Sequence, residues 1–122
     1  MRKVVYLVRD LLFTSKIRET ATQLGLELEQ ARDAASLKAA AQKAQVIILD
    51  LRLPESLGAL ELLRSDPSTR DIPSVGFIDH EKVDIMQAAT DKGCDTVLAK
   101  GKFSSALPQL LAALPPPQPR RS

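Results

Sequence analysis

The feature that most constrains this chain is a change of hydrophobic period that repeats five times. Short apolar runs rich in β-branched residues alternate with longer stretches whose apolar residues recur every three or four positions. The short runs are KVVYLV from residue 3, LELEQA from 26, VIILD from 46, SVGFI from 74 and TVLA from 96. Interleaved with them stand SKIRETATQL, AASLKAAAQKA, LGALELLRS, EKVDIMQAATDK and SSALPQLLAAL. In the first of these, Ile17, Ala21 and Leu24 share a helical face and Gly25 is placed to end it, as Gly93 is for the fourth. Asp33 can cap the second. Pro108 is compatible with the last helix only in its first turn.

Five strand and helix pairs in about 114 residues require right-handed crossovers, and therefore a parallel sheet covered on both faces. The expected fold class is α/β, a three-layer doubly wound five-stranded sheet, for which the flavodoxin-like order 2-1-3-4-5 is the commonest at this size. In that order the switch point lies between the first and third strands, whose ends carry Arg9, Asp10 and Asp50. The domain occupies residues 1–114, and PPPQPRRS, residues 115–122, is expected to be an extended flexible tail. Three readings of the tail stand: a frayed end, a linker from a longer protein, or a proline-rich docking peptide.

Composition narrows the function classes. Seventeen basic and fifteen acidic side chains leave a net charge of +2, too small and scattered for a nucleic-acid footprint. Aromatics at 3% offer few stacking platforms and leave an aliphatic, alanine-rich core. The single cysteine, Cys94, excludes an internal disulfide and reads as a small buried residue. The apolar run at residues 4–8 is too short for a signal peptide or a membrane span, so a cytoplasmic protein without membrane attachment is expected. The loop RDLLFTSK after the first strand has no glycine, so its backbone lacks the usual phosphate cradle of nucleotide-binding enzymes.

Four further pieces complete a constellation: Asp50 in IILDLRLP, Gly58 in GALELL, the loop DPSTRDIP, and KGCDTVLAK ending in Lys100. Together, in order and in spacing, they resemble the receiver domain of bacterial response regulators over residues 3–114. The resemblance implies Asp50 as phosphoacceptor, Asp10 as one of an acidic pair that holds a divalent metal beside it, and Lys100 as the cation that grips the phosphoryl group. It also exposes departures. The first acid of the pair falls on Arg9, the hydroxyl position that ends the fourth strand falls on Ile78, and the aromatic often found before the lysine falls on Val97.

Charge arithmetic gives the first departure its weight. Three carboxylates and one lysine make an ordinary receiver pocket about −2, which suits a hard cation that wants oxygen ligands. Here Arg9 and Lys100 offset Asp10 and Asp50 to a formal sum of about zero. Two unit charges 4 Å apart interact by roughly 4 kcal/mol at an effective dielectric of 20, enough to outweigh weak metal binding. Magnesium held by Asp10 and Asp50 is therefore expected to be weak or absent, and no other cofactor is implied. Arg9 either pairs with one or both carboxylates in the metal's place or leans into solvent. Ile78 removes a charge-assisted hydrogen bond to the phosphoryl group, worth about 1.5–3 kcal/mol.

The remaining polar and apolar oddities are weighed against bland roles. His80, the one histidine, reads as a loop residue, and Asp79 beside it as the cap of the next helix. Leu11, Leu12 and Phe13 follow the site directly; one or two are expected to pack, and any left exposed make a small apolar patch for a partner. The resemblance also implies partner binding through residues 83–92, 96–100 and 105–114, with homodimerisation an open option. The reading is a stand-alone, degenerate receiver that is not an enzyme and signals by binding a protein, a histidine kinase or a downstream effector, with impaired metal-dependent phosphorylation. The alternative is a conventional receiver phosphorylated at Asp50 by a histidine kinase. A small flavodoxin-like enzyme stands third, without a nucleophile–base pair or cofactor motif to support it.

Overall fold

In a computed structural model that describes residues 2–114, ten elements follow one another in strict alternation. They are β1 (Lys3–Leu7), α1 (Leu11–Gln23), β2 (Glu27–Gln30), α2 (Ala34–Ala41), β3 (Val46–Asp50), α3 (Ser56–Ser65), β4 (Ser74–Ile78), α4 (Val83–Asp91), β5 (Thr96–Ala99) and α5 (Lys100–Ala112). The strands form one parallel sheet in the order β2-β1-β3-β4-β5, the order expected from the sequence. Burial explains who sits where. β3 and β4 are buried at every position and β1 at all but its first, as central parallel strands covered on both faces must be. β2 carries Glu27 and Glu29 exposed and takes an edge.

Alternate residues of the strands feed two separate cores. Val5, Leu7, Ile47 and Leu49 pack with Leu37, Leu60 and Leu63 from α2 and α3. Val4, Tyr6, Val46 and Ile48 face Ile17 of α1 and Phe103, Leu107 and Leu111 of α5. All three phenylalanines gather on this second side: the Phe77 ring stacks on Phe103 at 4.4 Å, and Phe13 lies 4.6 Å from Phe77. The register pairs Leu7 with Leu49 and Asp50 with Phe77, so β1, β3 and β4 end level at the carboxyl edge. On the opposite face of β4, Gly76 is required by close approach, because a Cβ there would lie 2.8 Å from the Leu51 side chain.

Gly25 and Gly93 follow the ends of α1 and α4 with φ of 68° and 99°, the left-handed conformation that suits glycine as a helix stop. Other boundaries differ from the sequence reading. α1 starts at Leu11, because Asp10 accepts hydrogen bonds from Leu12 N and Phe13 N and caps it. Asp79 caps nothing: α4 follows Lys82, and no side chain caps it. α5 leaves β5 without a loop, so Pro108 lies well inside the helix and not in its first turn. An interior proline costs about 3 kcal/mol through its missing N–H and its clash with the preceding turn. Burial of Phe103, Leu107 and Leu111 on the inner face of the same helix, about 1.5–3 kcal/mol each, outweighs that cost. Pro108 itself is exposed, so its ring meets solvent and not the core. Among the described residues no helix is long and apolar enough to cross a membrane. The tail at 115–122 lies outside the described residues.

Candidate functional site

Asp50 ends β3 with only 2% of its surface exposed. Its backbone carbonyl accepts a hydrogen bond from the buried Ser56 Oγ at 2.6 Å, which ties the strand end to the start of α3. Its carboxylate is occupied. Arg52, two residues on, folds back so that its Nε donates to Asp50 Oδ1 at 2.9 Å and its Nη2 to Asp50 Oδ2 at 2.8 Å. The Arg52 backbone N–H adds a third donor to Oδ1 at 3.0 Å. This fork against a carboxylate is the geometry that distinguishes arginine from lysine.

The same Nη2 lies 3.3 Å from Asp10 Oδ2, so one guanidinium bridges the acids that end β1 and β3. Asp10 Oδ1 is already committed to the backbone N–H groups of Leu12 and Phe13. Those N–H groups, Phe13 foremost, hold the Asp10 carboxyl below the ordinary carboxylate range, with Arg52 adding to the effect. Aromatic rings form the floor. The Arg52 guanidinium carbon is 5.4 Å from the centroid of Phe13 and 5.8 Å from that of Phe77, within cation–π range. The hydrogen bonds to Asp50, before all else, raise the Arg52 pKa above its already high value.

Arg9, expected beside these carboxylates or in solvent, does neither job fully. It stands half-exposed and turns away from the pocket, with Nη2 donating to the Glu55 carboxylate and to the Arg32 carbonyl. The reason is local: Asp10 is drawn into the α1 cap and Asp50 is filled by Arg52, whereas Glu55 at the start of α3 is open to it. The hydrogen bond from Arg9 holds the Glu55 carboxyl low. The expectation that Arg9 takes the metal's place is thus corrected, and the cation between the acids is Arg52. Asp50 followed by a long guanidinium two residues later, within DLR, was the signal available for it.

Lys100 opens α5 at the same sheet edge, but its Nζ pairs with Asp79 Oδ1 at 2.6 Å. That ion pair lowers the Asp79 pKa and makes Asp79 the partner of Lys100. Ile78 is 1% exposed and belongs to the core beneath α2 and α3, and Val97 packs against the same cluster. Both therefore present hydrocarbon where a polar switch would need a hydroxyl or a ring. His80 is solvent-exposed, with Nε2 3.3 Å from Glu81. Phe13 packs into the aromatic group while Leu11 and Leu12 stay 80% and 82% exposed beside Asp10. Among the described residues, no three of histidine, cysteine, aspartate and glutamate come together as a metal-holding group.

No protein-family model and no curated protein matches the sequence. Solved structures do match the fold. The chain is similar to the chemotaxis response regulator CheY4 of Vibrio cholerae, at 23% identity and a TM-score of 0.76, with 91% of this chain and 96% of that one covered. A response regulator from Hahella chejuensis matches at 19% identity and a TM-score of 0.79 over 92% and 93% of the two chains. The receiver domain of a sensor histidine kinase from Pseudomonas aeruginosa matches at 18% identity and a TM-score of 0.77, over 90% and 93%. The chain therefore has the flavodoxin-like fold of response-regulator receiver domains. In the Pseudomonas domain a magnesium ion is coordinated in the active-site cleft. The donor set here does not fit such an ion: two carboxylates face each other across a guanidinium that already uses both oxygens of one and the free oxygen of the other.

Proposed function

We propose that this protein is a receiver-type signalling module that acts by binding another protein, with metal-dependent phosphorylation of Asp50 impaired. One observation carries the reading: both carboxylate oxygens of Asp50 are engaged by Arg52. An acceptor carboxylate must offer a lone pair to phosphorus, and phosphoryl transfer depends on positioned cations around the three transferring oxygens. Here the nucleophile is tied down. The lysine that would steady the phosphoryl group is held by Asp79, and the position that would donate a hydroxyl is the buried Ile78. Such a module is not an enzyme, and its output is contact.

The exposed apolar side chains support a protein partner, a histidine kinase or a downstream effector. Leu11 and Leu12 rise beside the pocket, and Val83 is 66% exposed at the start of α4. Exposed leucines grouped at a functional edge are a more specific hint than scattered ones. A soluble module of this kind fits the cytoplasm, where histidine kinases present their phosphoryl groups.

The test is intact mass after incubation of the protein with magnesium and a small-molecule phosphodonor. No gain of mass is expected at Asp50. A stoichiometric gain of one phosphate that Asp50→Asn abolishes would establish the conventional phosphoacceptor instead.

A further inference from the structure

Away from the carboxyl edge, α5 and the sheet beneath it are less tightly filled. We infer that the space between the second half of α5 and strands β3, β4 and β5 is a binding site for a small, uncharged apolar molecule of about one aromatic ring.

The strands explain why a space is left there. On the α5 face, Phe77 stands level with Asp50 and stacks on Phe103 at 4.4 Å. Two residues back along the strands, Ile48, Val75 and Thr96 share one register row, and two of the three are small. α5 nevertheless continues past Leu107 to Leu111, and between helix and sheet lies a cavity of about 160 Å3. β5 is the last strand, so no further strand closes the side beyond Thr96.

The walls set the size and polarity of a guest. Val46, Ile48, Val75, Phe103, Leu107 and Leu111 line the cavity, and none is more than 7% exposed. Wall atoms that face a void lack the dispersion contacts of a close-packed interior, and an apolar guest restores them. Engineered cavities of about 150 Å3 with leucine, isoleucine and phenylalanine walls accept benzene. Burying the roughly 150–250 Å2 of a single ring corresponds to a Kd on the order of 0.1–1 mM.

The polar groups of the lining set the charge. Asp95 Oδ2 accepts hydrogen bonds from Ser74 N at 2.9 Å and from Arg64 Nη2 at 3.0 Å, and Arg64 Nη2 also donates to Ser74 Oγ at 2.8 Å. These groups are committed to one another. The Asp95 side chain, 57% exposed, sets a carboxylate at the open side, where it repels an anion. The surroundings favour a free molecule over a side chain inserted by a protein. Among the described residues the large exposed apolar side chains are Leu11, Leu12, Leu24 and Val83, and none of them lines the cavity. A protein partner would find no apolar rim here to close over, and such surrounding contact is what shields an inserted anchor from water.

The experiment is an NMR titration of the full 15N-labelled chain with toluene, and with benzoate as an anion on the same ring. Wild type, Val75→Phe and Thr96→Phe are compared, the variants placing a ring where the guest would sit. Circular dichroism identifies the folded proteins, and Thr96→Phe, on the edge strand, keeps the comparison if Val75→Phe does not fold. Toluene is expected to shift the amides of Val75, Thr96 and Leu111 of the wild type saturably, with a Kd on the order of 0.1–1 mM. Folded variants should bind it at least about tenfold more weakly, and so should the wild type bind benzoate. The absence of saturable shifts in the wild type up to the solubility limit of toluene overturns the inference, and so does equal affinity in a folded variant. Benzoate binding as tight as that of toluene overturns the assignment of an uncharged ligand.

Discussion

Two cation–carboxylate arrangements stand one strand apart on the same sheet edge, and they differ in what surrounds them. Around Asp50 the carboxylate is buried, both its oxygens are engaged in a fork, and the cation rests on two rings. Asp79 and Lys100, with 29% and 41% of their side chains exposed, meet through a single 2.6 Å contact. A fully buried charge that loses its partner bears an unscreened desolvation penalty, whereas a partly exposed pair that separates can be rehydrated from its open side. The first arrangement should therefore shape the fold and the second should mainly tune its edge.

The largest expected effect breaks or upholds that contrast directly. Arg52→Ala should lower unfolding stability by about 1.5–3 kcal/mol, the range for hydrogen bonds to charged groups left unsatisfied. Lys100→Ala should shift the urea midpoint far less. Equal shifts in the two variants would show that burial does not separate the pairs.

Next in size is the aromatic floor. Phe13→Leu removes the nearer ring under the guanidinium, and a double-mutant cycle with Arg52→Ala should return a coupling of about 0.5–1 kcal/mol. A coupling indistinguishable from zero would mean that the rings only fill space.

Acid should act on both sites, in a direction that can be worked out. Phe13 N–H, Leu12 N–H and Arg52 depress Asp10, and Lys100 depresses Asp79, so each folded carboxyl has a lower pKa than its unfolded form. The stability they contribute is present above the unfolded value of about 3.9 and is lost as pH falls from there through the lower folded values. Asp10→Asn keeps the helix cap but cannot titrate, so its denaturation midpoint should fall less steeply than that of wild type below about pH 4. Matching acid limbs for the two proteins would remove Asp10 from the account.

Salt should give the smallest difference. Raising ionic strength from about 0.1 to 1 M shortens the screening length from roughly 10 to 3 Å. The small gap between wild type and Lys100→Ala should close, while the gap for Arg52→Ala persists. A salt-sensitive Arg52 gap would place the guanidinium in solvent-like surroundings.

Much of this edge can be read from the letters. VIILD is apolar up to its last residue, so Asp50 had to stand where a buried strand meets a loop, and the five-fold alternation sets Lys100 on the same edge. Other pieces are harder to read because they depend on competition between partners. Asp10 reads as a site acid in sequence, yet one of its oxygens serves the backbone of α1. Arg9 sits next to it in sequence and pairs instead with Glu55, which the chain brings in from the start of α3. Pro108 suggests a late helix start, but the buried spacing of Phe103, Leu107 and Leu111 draws the helix back to Lys100.

By itself the sequence determined the alternation of strands and helices and the identity of the charged groups at the sheet edge, because hydrophobic period is local and each strand carries its own pattern; the strand order, expected only as the commonest for such a sheet, was settled by the tertiary structure. Only tertiary structure decided which cation meets which carboxylate. Arginine and lysine side chains reach several acids at once, and the choice among them turns on strand register, on the helix cap that takes Asp10 Oδ1, and on the rings that seat Arg52 over Asp50.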